Sequence, residues 1–206
     1  MSNNSKLILV TGVPCSGKTS LIKELRKTFD FTFIEVDDIK DGIFGKKPRI
    51  GNTYKALKLK VKAITENIIN TNLSIGNNVV VENTFWDEVQ NPNWYKRFKY
   101  KNIYIIRCIA SKEQIFKRLK LRNLKRDINK IKNIESFNNW LIDEPIDVDM
   151  SIGIKVKTEN MNKTLQRIKE YTKMKELNNK QYFKCYRCGT SILSEDMIFG
   201  CPNCGE

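Results

Sequence analysis

Histidine does not occur among the 206 residues of this chain, so imidazole serves neither as a catalytic base nor as a metal ligand. A general base would therefore have to be a carboxylate or another group. Long apolar stretches are missing too, since no run approaches the ~18 residues that a membrane helix requires. The amino terminus, MSNNSK, leads directly into LILV without the basic segment, long apolar core and cleavage site of a secretory signal. We therefore expect a soluble, cytoplasmic protein with no membrane partner.

Basic residues dominate the charge that is present. Lys and Arg number 37 against 23 Asp and Glu, which gives a formal net charge of +14. Such an excess favours a polyanionic partner such as nucleic acid, because neutralising phosphates releases condensed counterions. However, the chain is rich in Lys, Asn and Ile together, as happens when base composition biases a whole proteome, and that bias alone would produce an excess of Lys. Charge alone therefore leaves a nucleic-acid partner open.

Apolar runs alternate with helix-like segments along most of the chain, which predicts an α/β fold with a parallel sheet flanked by helices. We expect one domain of residues 1–177, followed by a short linker and a cysteine-rich tail within residues 178–206. The predicted strands are KLILVT, FTFIEV, NNVVVEN, NIYIIRC and SIGIKVK. The predicted helices cover residues 18–29, a short stretch before Gly45, and residues 53–75, 112–132 and 160–177.

The segment VTGVPCSGKTSL, residues 10–21, lies between the first predicted strand and the first predicted helix. Its residues 12–19 satisfy the pattern G-x-x-x-x-G-K-[ST], whose glycines let backbone N–H groups and a helix amino terminus face a phosphate. Lys18 is expected to reach the β- and γ-phosphates of ATP, and the Thr19 hydroxyl to ligate Mg²⁺. Cys15 occupies a variable position and is interpreted as a small filler rather than a nucleophile. The predicted ATP-binding residues are Gly12, Cys15, Ser16, Gly17, Lys18, Thr19 and Ser20.

A second segment, VDDIKDGIFG at residues 36–45, follows the second predicted strand. Together with the phosphate-binding loop it resembles the small P-loop kinases that include polynucleotide 5′-kinase, chloramphenicol phosphotransferase and zeta-toxin-like enzymes. A D-D-[IL]-R-x-x-[IL]-F-G-like segment is common there, and Lys40 replaces the usual Arg with retention of charge. The resemblance implies that Asp37 is the general base that orients an acceptor hydroxyl, with Asp38 as the other candidate. Phosphoryl transfer independently needs a carboxylate near the phosphate loop, although the two acids could instead cap the next helix.

The third predicted strand ends in VVVENTF, residues 79–85. Glu82 resembles the strand-terminal acid that holds Mg²⁺ through water in such kinases, and Asn83 and Thr84 match the family's VIVDNTN-like segment. The chain departs from that pattern with Glu in place of Asp and with Phe85 in place of Asn. Glu82 is therefore a predicted Mg²⁺ residue, and the alternative is a solvent-facing acid at a strand end.

A strongly basic segment follows the fourth predicted strand. The motif SKEQ predicts a capping box at its start, and residues 112–132 hold nine Lys or Arg against two acids. Arg118, Arg122 and Arg126 recur every four residues, which would align them on one face of a helix. By resemblance to related kinases, Arg118 and Arg122 are candidates for a lid that closes on the transferring phosphoryl group. The alternative is a solvated basic face.

The resemblance extends to the last predicted strand and helix, and covers about Lys6 to Lys175. In the segment SIGIKVKTEN it places Lys157 and Thr158 near the adenine base, by analogy alone.

Four of the six cysteines crowd the last 22 residues, CYRCGTSILSEDMIFGCPNCGE. Two pairs, Cys185-x2-Cys188 and Cys201-x2-Cys204, each precede a glycine, and two thiolates three residues apart can share one metal. This spacing predicts a structural Zn²⁺ site of the zinc-ribbon kind, closed by four thiolates and therefore not catalytic. Two disulfides are the alternative, disfavoured in the reducing compartment expected for a P-loop enzyme without an export signal.

The sequence thus predicts an ATP-dependent kinase that transfers the γ-phosphoryl group to an acceptor hydroxyl. A nucleic acid, a nucleotide, or a small metabolite or drug could be that acceptor. A hypothesis of another class is a nucleic-acid-binding protein in which nucleotide occupancy acts as a switch and no transfer occurs. An Asp37→Ala change separates the two, because a kinase would lose transfer and still bind ATP, whereas a switch would be indifferent.

Overall fold

A five-stranded, entirely parallel sheet forms the centre of the computed structural model, which describes residues 5–45, 51–84, 94, 98, 102–142, 153–174, 182–184 and 191–193. The strands match the predicted ones to within about three residues, and the predicted α/β class is confirmed. Their spatial order is β2-β3-β1-β4-β5, with β1 at Leu7–Thr11, β2 at Thr32–Glu35, β3 at Val79–Glu82, β4 at Ile103–Ile109 and β5 at Ile154–Lys157.

The central strand β1 is apolar over most of its length because both faces of a parallel sheet are covered by other elements. All of its residues are buried. The register sets Val10 opposite Glu82 of β3 on one side and Ile106 of β4 on the other. The carboxyl ends of these strands therefore meet at one edge of the sheet, where the segment after β1 begins.

Helices cover the two faces of this sheet. Alternate residues of β1 face opposite layers, so Leu7 and Leu9 pack with α2 and α3, whereas Ile8 and Val10 pack with α1 and α6. The α-helices of the described ranges are α1 at Lys18–Thr28, α2 at Val36–Phe44, α3 at Gly51–Ser74, α4 at Lys112–Arg122, α5 at Ile134–Ile142 and α6 at Met161–Thr172.

Three of the predicted helices are confirmed with small changes in their bounds. α1 and α3 begin within two residues of the predicted starts, and α6 begins one residue later than predicted because Asn160 caps it, accepting a hydrogen bond from the Lys163 backbone N–H. The short helix predicted before Gly45 corresponds to α2, which begins already at Val36. The acidic pair at residues 37 and 38 therefore lies in its first turn, where the helix dipole favours negative charge.

The prediction of one continuous helix over residues 112–132 is wrong. α4 ends at Arg122 because Asn123 adopts the left-handed conformation, with φ 44° and ψ 43°, which Asn tolerates better than most residues. A 3₁₀ helix at Lys125–Lys130 follows, and then α5, which the sequence analysis did not predict. Arg126 therefore lies in the 3₁₀ helix, and the expected helical face shared by Arg118, Arg122 and Arg126 does not form.

The segment from α4 to α5 has a small core of its own that attaches it to the phosphate-binding loop. Leu119 of α4 and Phe137 of α5 are buried together with Val13 of that loop. The predicted capping box is confirmed at the start of α4, where Gln114 N donates to Ser111 Oγ at 3.3 Å and Ser111 N donates to Gln114 Oε1 at 3.1 Å. The basic segment is thus packed against the loop rather than projecting freely from the sheet.

A pair of short antiparallel strands lies in the tail, β6 at Tyr182–Lys184 and β7 at Ser191–Leu193. All four predicted zinc ligands lie outside the described residues, and so does the predicted linker. Within the ranges that the structure describes, no group of three or more Cys, Asp or Glu could hold a metal ion. The helices of those ranges include none that is long and apolar enough to cross a membrane. The zinc ribbon and the domain boundary stay predictions.

Candidate active site

The segment that joins β1 to α1 wraps into a loop that demands unusual backbone conformations. Gly12, Cys15 and Gly17 all have positive φ, of 146°, 65° and 104°. A Cβ on Gly12 would lie 2.5 Å from the carbonyl oxygen of Cys108, and one on Gly17 would lie 2.1 Å from Thr158 Oγ1. Both positions therefore need glycine for two reasons: a side chain would collide with neighbouring atoms, and the torsion angles disfavour other residues. These close approaches hold the loop against β4 and the end of β5, in a turn whose backbone N–H groups can face a phosphate.

Lys18, the first residue of α1, bends back over this loop. Its Nζ donates to the carbonyl oxygens of Gly12 at 2.8 Å and of Val13 at 3.2 Å. The same Nζ lies 3.8 Å from Glu82 Oε1 at the end of β3. The ammonium group is thus held beside the loop, where it supplies a point charge for phosphate binding.

Polar groups of the loop fit the phosphates of a nucleotide. Ser16 Oγ is buried and has no hydrogen-bond partner within the described part of the chain. A buried hydroxyl of this kind costs free energy unless a ligand or a water completes it. Thr19 and Ser20 are exposed in the first turn of α1, where the helix amino terminus favours an anion. Oxygen atoms of the kind that Mg²⁺ prefers are present in the Thr19 hydroxyl and the Glu82 carboxylate.

Cys15 lies within the loop, at a position where the sequence pattern accepts any residue. Burial raises the pKa of its thiol above the ordinary value, an effect that the nearby Arg122 guanidinium opposes. The thiol is therefore protonated at neutral pH, which supports the interpretation of Cys15 as a filler rather than a nucleophile.

Glu82 ends β3 directly beside the loop. Its side chain is only 11% exposed, so it is not the solvent-facing acid that was the alternative. Burial raises the pKa of the Glu82 carboxyl above its usual range, while the ammonium of Lys18 opposes that rise. A divalent cation at this position would favour the ionised form in the same way as Lys18 does.

Asp37 lies across the same edge of the sheet, in the first turn of α2. Its Oδ1 accepts a hydrogen bond from Lys40 Nζ at 2.9 Å, and Lys40 Nζ also lies 3.4 Å from Asn83 Oδ1. The Asp37 side chain is 57% exposed, which leaves it accessible to a ligand. Asp38 is exposed as well but does not line the cavity described below. Of the two acids, only Asp37 faces the cavity, and its role as a general base stays a prediction.

The two predicted lid arginines have different surroundings. Arg118 Nη1 donates to the backbone carbonyl oxygen of Cys15 at 3.0 Å, so this side chain supports the loop from outside. Arg122 instead donates to Asp127 Oδ2, through Nε at 3.0 Å and Nη2 at 2.5 Å, and lines the cavity. The lid role of Arg118 stays a prediction, while Arg122 is placed among the other site residues.

A cavity of about 280 Å³ at the carboxyl edge of the sheet brings together four of the predicted site residues, Lys18, Asp37, Glu82 and Arg122. Its cations and carboxylates come from the start of α1, from α2, from the end of β3, from the end of α4 and from the 3₁₀ helix. Its lining residues are Pro14, Lys18, Asp37, Lys40, Glu82, Asn83, Thr84, Arg122, Asp127 and Lys130.

Asp127 and Lys130 are lining residues that sequence reasoning missed. An acid within a run of lysines and arginines is typical of a solvated face, and nothing in the pattern marks Asp127 as buried. The available signal was Asn123, which ends α4 and turns the following residues back toward the loop.

Thr158 lies behind the phosphate loop, where its Oγ1 donates to the backbone carbonyl oxygen of Ser16 at 3.3 Å. Lys157 is exposed at the end of β5. The analogy that placed these residues near the adenine base stays a prediction, and the contact that the structure gives Thr158 is with the loop backbone.

A phosphate-binding loop that follows the central strand of a parallel sheet, with an acid at the end of a neighbouring strand, defines the class of P-loop nucleotide-binding proteins. Comparison with protein families narrows the class. The family model described as "AAA domain" matches residues 7–141, more than half of the chain, and the chain belongs to that family.

Solved structures of kinases share this fold. A Chloroflexus aurantiacus protein provisionally named a kinase is similar with a TM-score of 0.59 and 19% identity, covering 82% of this chain and 98% of its own. A shikimate kinase from Bacteroides thetaiotaomicron has a TM-score of 0.56 and 18% identity, and the match covers 82% of this chain and 99% of that one. A sugar kinase from Janibacter sp. HTCC2649 has a TM-score of 0.56 and 11% identity, and the match covers 82% of this chain and 95% of that one. At such identities the likeness establishes the fold alone. Among curated proteins, none matches this chain significantly.

Proposed function

We propose that this protein is an ATP-dependent kinase, a phosphotransferase that moves the γ-phosphoryl group of ATP to a hydroxyl of an acceptor with the help of Mg²⁺. The observation that carries the proposal is the shared cavity, which Lys18, Glu82, Asp37 and Arg122 all line. Phosphoryl transfer requires a cation on the donor phosphates, an acid for the metal, a carboxylate near the nucleophile and a cation for the developing charge. One cavity contains a candidate for each of these parts.

Each residue has its own part in the proposed reaction. Lys18 and the backbone N–H groups of the loop bind the phosphates, and Thr19 and Glu82 hold Mg²⁺, which when bound neutralises phosphate charge. The Asp37 carboxylate orients the acceptor hydroxyl and accepts its proton as the new O–P bond forms, while the bond between the γ-phosphorus and the β–γ bridging oxygen breaks and ADP leaves. Arg122 stabilises the charge on the transferring group.

The acceptor class follows from charge only in part. A net charge of +14 supports a nucleic acid or a nucleotide, since such acceptors bring phosphates of their own. A small metabolite or drug hydroxyl fits the same four residues, because they act on one hydroxyl and one phosphoryl group whatever the rest of the acceptor is. Phosphate-bearing acceptors and small uncharged acceptors would undergo the same proposed reaction, and they would differ in the contacts that they make outside the cavity.

A second candidate function is a nucleotide-switched nucleic-acid-binding protein without phosphotransfer. The contact that favours it joins Arg118 of the basic segment to the Cys15 carbonyl of the loop, at 3.0 Å. Through that contact, nucleotide at the loop could bias the position of α4 and of its basic side chains.

One experiment separates the two functions. The protein is incubated with Mg²⁺ and γ-labelled ATP against 5′-hydroxyl oligonucleotides, tRNA, nucleosides and small alcohols, with Lys18→Ala as the blank. Asp37→Asn is expected to reduce label transfer by at least about 100-fold while ATP binding is retained. Asp38→Asn is the matched control and should transfer label nearly normally. Normal ATP binding with label on no acceptor would overturn the kinase and favour the switch.

We also propose that residues 178–206 form a linker and a structural zinc ribbon with Cys185, Cys188, Cys201 and Cys204 as the ligands. The spacing of the cysteines supports it, and so does the position of the first pair between β6 and β7 in the sequence, because turns between short strands commonly carry such pairs. Cysteines kept reduced for zinc binding fit the reducing, cytoplasmic compartment expected from the sequence.

A further inference from the structure

We propose that Asp127 is a positioning residue that holds Arg122 and Lys130 as a pair of cations on one wall of the cavity, and that Lys130 contacts the γ-phosphoryl group beside Arg122. This inference rests on the proposed function, because it assigns two further residues to the same site.

The burial of Asp127 is the first observation behind this inference. Its side chain is 0% exposed, although it stands in the most basic part of the chain. A carboxylate in such a place costs a large desolvation free energy unless cations compensate it. Both of its oxygens face cations, since Oδ2 accepts two hydrogen bonds from Arg122 and Oδ1 lies 3.4 Å from Lys130 Nζ. One buried acid therefore fixes two cationic side chains.

Local backbone geometry explains how the three residues meet. α4 ends at Arg122, and the left-handed Asn123 reverses the chain into the 3₁₀ helix that contains Asp127 and Lys130. Side chains three residues apart eclipse one another in a 3₁₀ helix, which places Lys130 directly over Asp127. In a continuous α-helix Arg122 and Asp127 would be five residues apart and would face different directions.

Lys130 is held from a second side as well. Its Nζ lies 4.7 Å from the centroid of the Trp140 ring, within the range of a cation–π interaction. The contact with Asp127 is an ion pair without hydrogen-bond geometry, because Oδ1 has no hydrogen-bond partner among the described residues. The ammonium is therefore fixed in place while its N–H donors are not used up by Asp127. A ligand anion in the cavity can accept them.

The chemistry of the cavity assigns these cations to the terminal phosphate. Lys18 comes from the start of α1, Arg122 from the end of α4 and Lys130 from the 3₁₀ helix, yet all three line the same space. The charge of a transferring phosphoryl group is spread over three equatorial oxygens, and cations on different sides stabilise it best. ADP lacks this group, so a clamp made of Arg122 and Lys130 should improve ATP binding and leave ADP binding nearly unchanged.

The test measures MgATP and MgADP affinities of the full chain by calorimetry for four variants: two single changes, their double variant and a control. Asp127→Asn and Lys130→Met are each expected to weaken MgATP binding by about 10-fold, because a charge-assisted hydrogen bond is lost, and to change MgADP binding less than about twofold. Glu135→Gln is the matched control, since it removes one acid from an exposed position of α5. The double variant should lose no more than Asp127→Asn alone, because neither cation is positioned once Asp127 is replaced.

Equal losses for ATP and ADP, or no loss in Lys130→Met, would overturn the clamp. If Asp127→Asn does not fold, Lys130→Met still decides, because it leaves the Asp127–Arg122 pair in place. Failure of the proposed kinase is distinguishable: a protein that discriminates ATP from ADP through Lys130 yet labels no acceptor keeps the clamp and loses the transfer reaction. Conversely, label transfer by the wild type together with an unchanged ratio of ATP to ADP affinity in Lys130→Met would support the kinase and overturn the clamp.

Discussion

Lys18 Nζ and Glu82 Oε1 lie 3.8 Å apart at the carboxyl edge of the sheet, with only 12% and 11% of the two side chains exposed. Despite this attraction the pKa of the Glu82 carboxyl is raised, because burial outweighs the effect of the Lys18 ammonium. The pair is therefore an acid and a base held close together at a cost that a bound cation and phosphates would relieve.

Replacing Glu82 by Gln should alter stability in a pH-dependent way. An acid with a raised pKa in the folded state binds protons more tightly there, so the folded protein loses stability as the pH rises from the unfolded pKa of about 4.3 through the folded one. Glu82→Gln is therefore expected to have a higher Tm than the wild type at pH 8, with the difference vanishing near pH 4. Thermal scans without metal or nucleotide measure this, and a lower Tm at pH 8 would show that the Lys18 pair outweighs burial.

Gly17→Ala should damage the loop more than its torsion angle alone explains. Its Cβ would lie 2.1 Å from Thr158 Oγ1 and 2.8 Å from Thr158 Cβ, so the loop and the end of β5 must move apart. We expect a loss of more than about 2 kcal/mol in the free energy of unfolding, together with loss of nucleotide binding.

Gly76→Ala is the matched control for this change, because Gly76 also has a positive φ, of 95°, but has no described atom within 4 Å of an added Cβ. The expected cost there is about 1 kcal/mol, from the torsion angle alone. Urea titrations of both variants compare the two costs, and equal losses would show that contact with Thr158 is unimportant.

Arg118→Ala should weaken both MgATP and MgADP by about 10-fold, because the Cys15 carbonyl loses the donor that holds the loop in place. Lys117→Ala, an exposed neighbour on α4, is the control and should bind both normally. Fluorescent nucleotide titrations measure the effect. A variant that binds both nucleotides normally but transfers the phosphoryl group slowly would instead support the predicted lid role.

The tail should bind one zinc ion per chain, through four thiolates. Metal analysis of the purified protein is expected to give one equivalent of zinc, and Cys185→Ser or Cys201→Ser should lower that content strongly. Cys15→Ser is the control, since that thiol is in the phosphate loop. Full zinc content in the tail variants, or disulfides by mass spectrometry, would contradict the zinc ribbon.

Local sequence signals predicted the phosphate loop, the sheet and the capping box of Ser111, because each depends on residues near one another in the chain. Glycine spacing, apolar runs and the SKEQ motif are such signals. The end of α4 was not predictable by counting charges, since the decisive residue is Asn123 and its left-handed conformation.

The surroundings of the site residues could not be predicted, because they are set by contacts between distant elements. Arg118 and Arg122 look equivalent in the sequence, yet one contacts the Cys15 carbonyl and the other a buried acid. Asp127 resembled a surface residue for the same reason. Leu119 and Phe137 pack against Val13 of the loop, and this contact between distant elements brings the charged residues between them to the cavity.

The strand order also determines when the site can form during folding. Leu7 of β1 pairs with Val79 and with Ile103, so both neighbours of the first strand come from much later in the chain. Until they are synthesised, an apolar strand remains with two open edges, and such long-range parallel pairing is slow. We therefore expect the loop after β1, although it is made early, to acquire its shape late. A nascent chain that is halted before β4 should therefore bind chaperones rather than nucleotide.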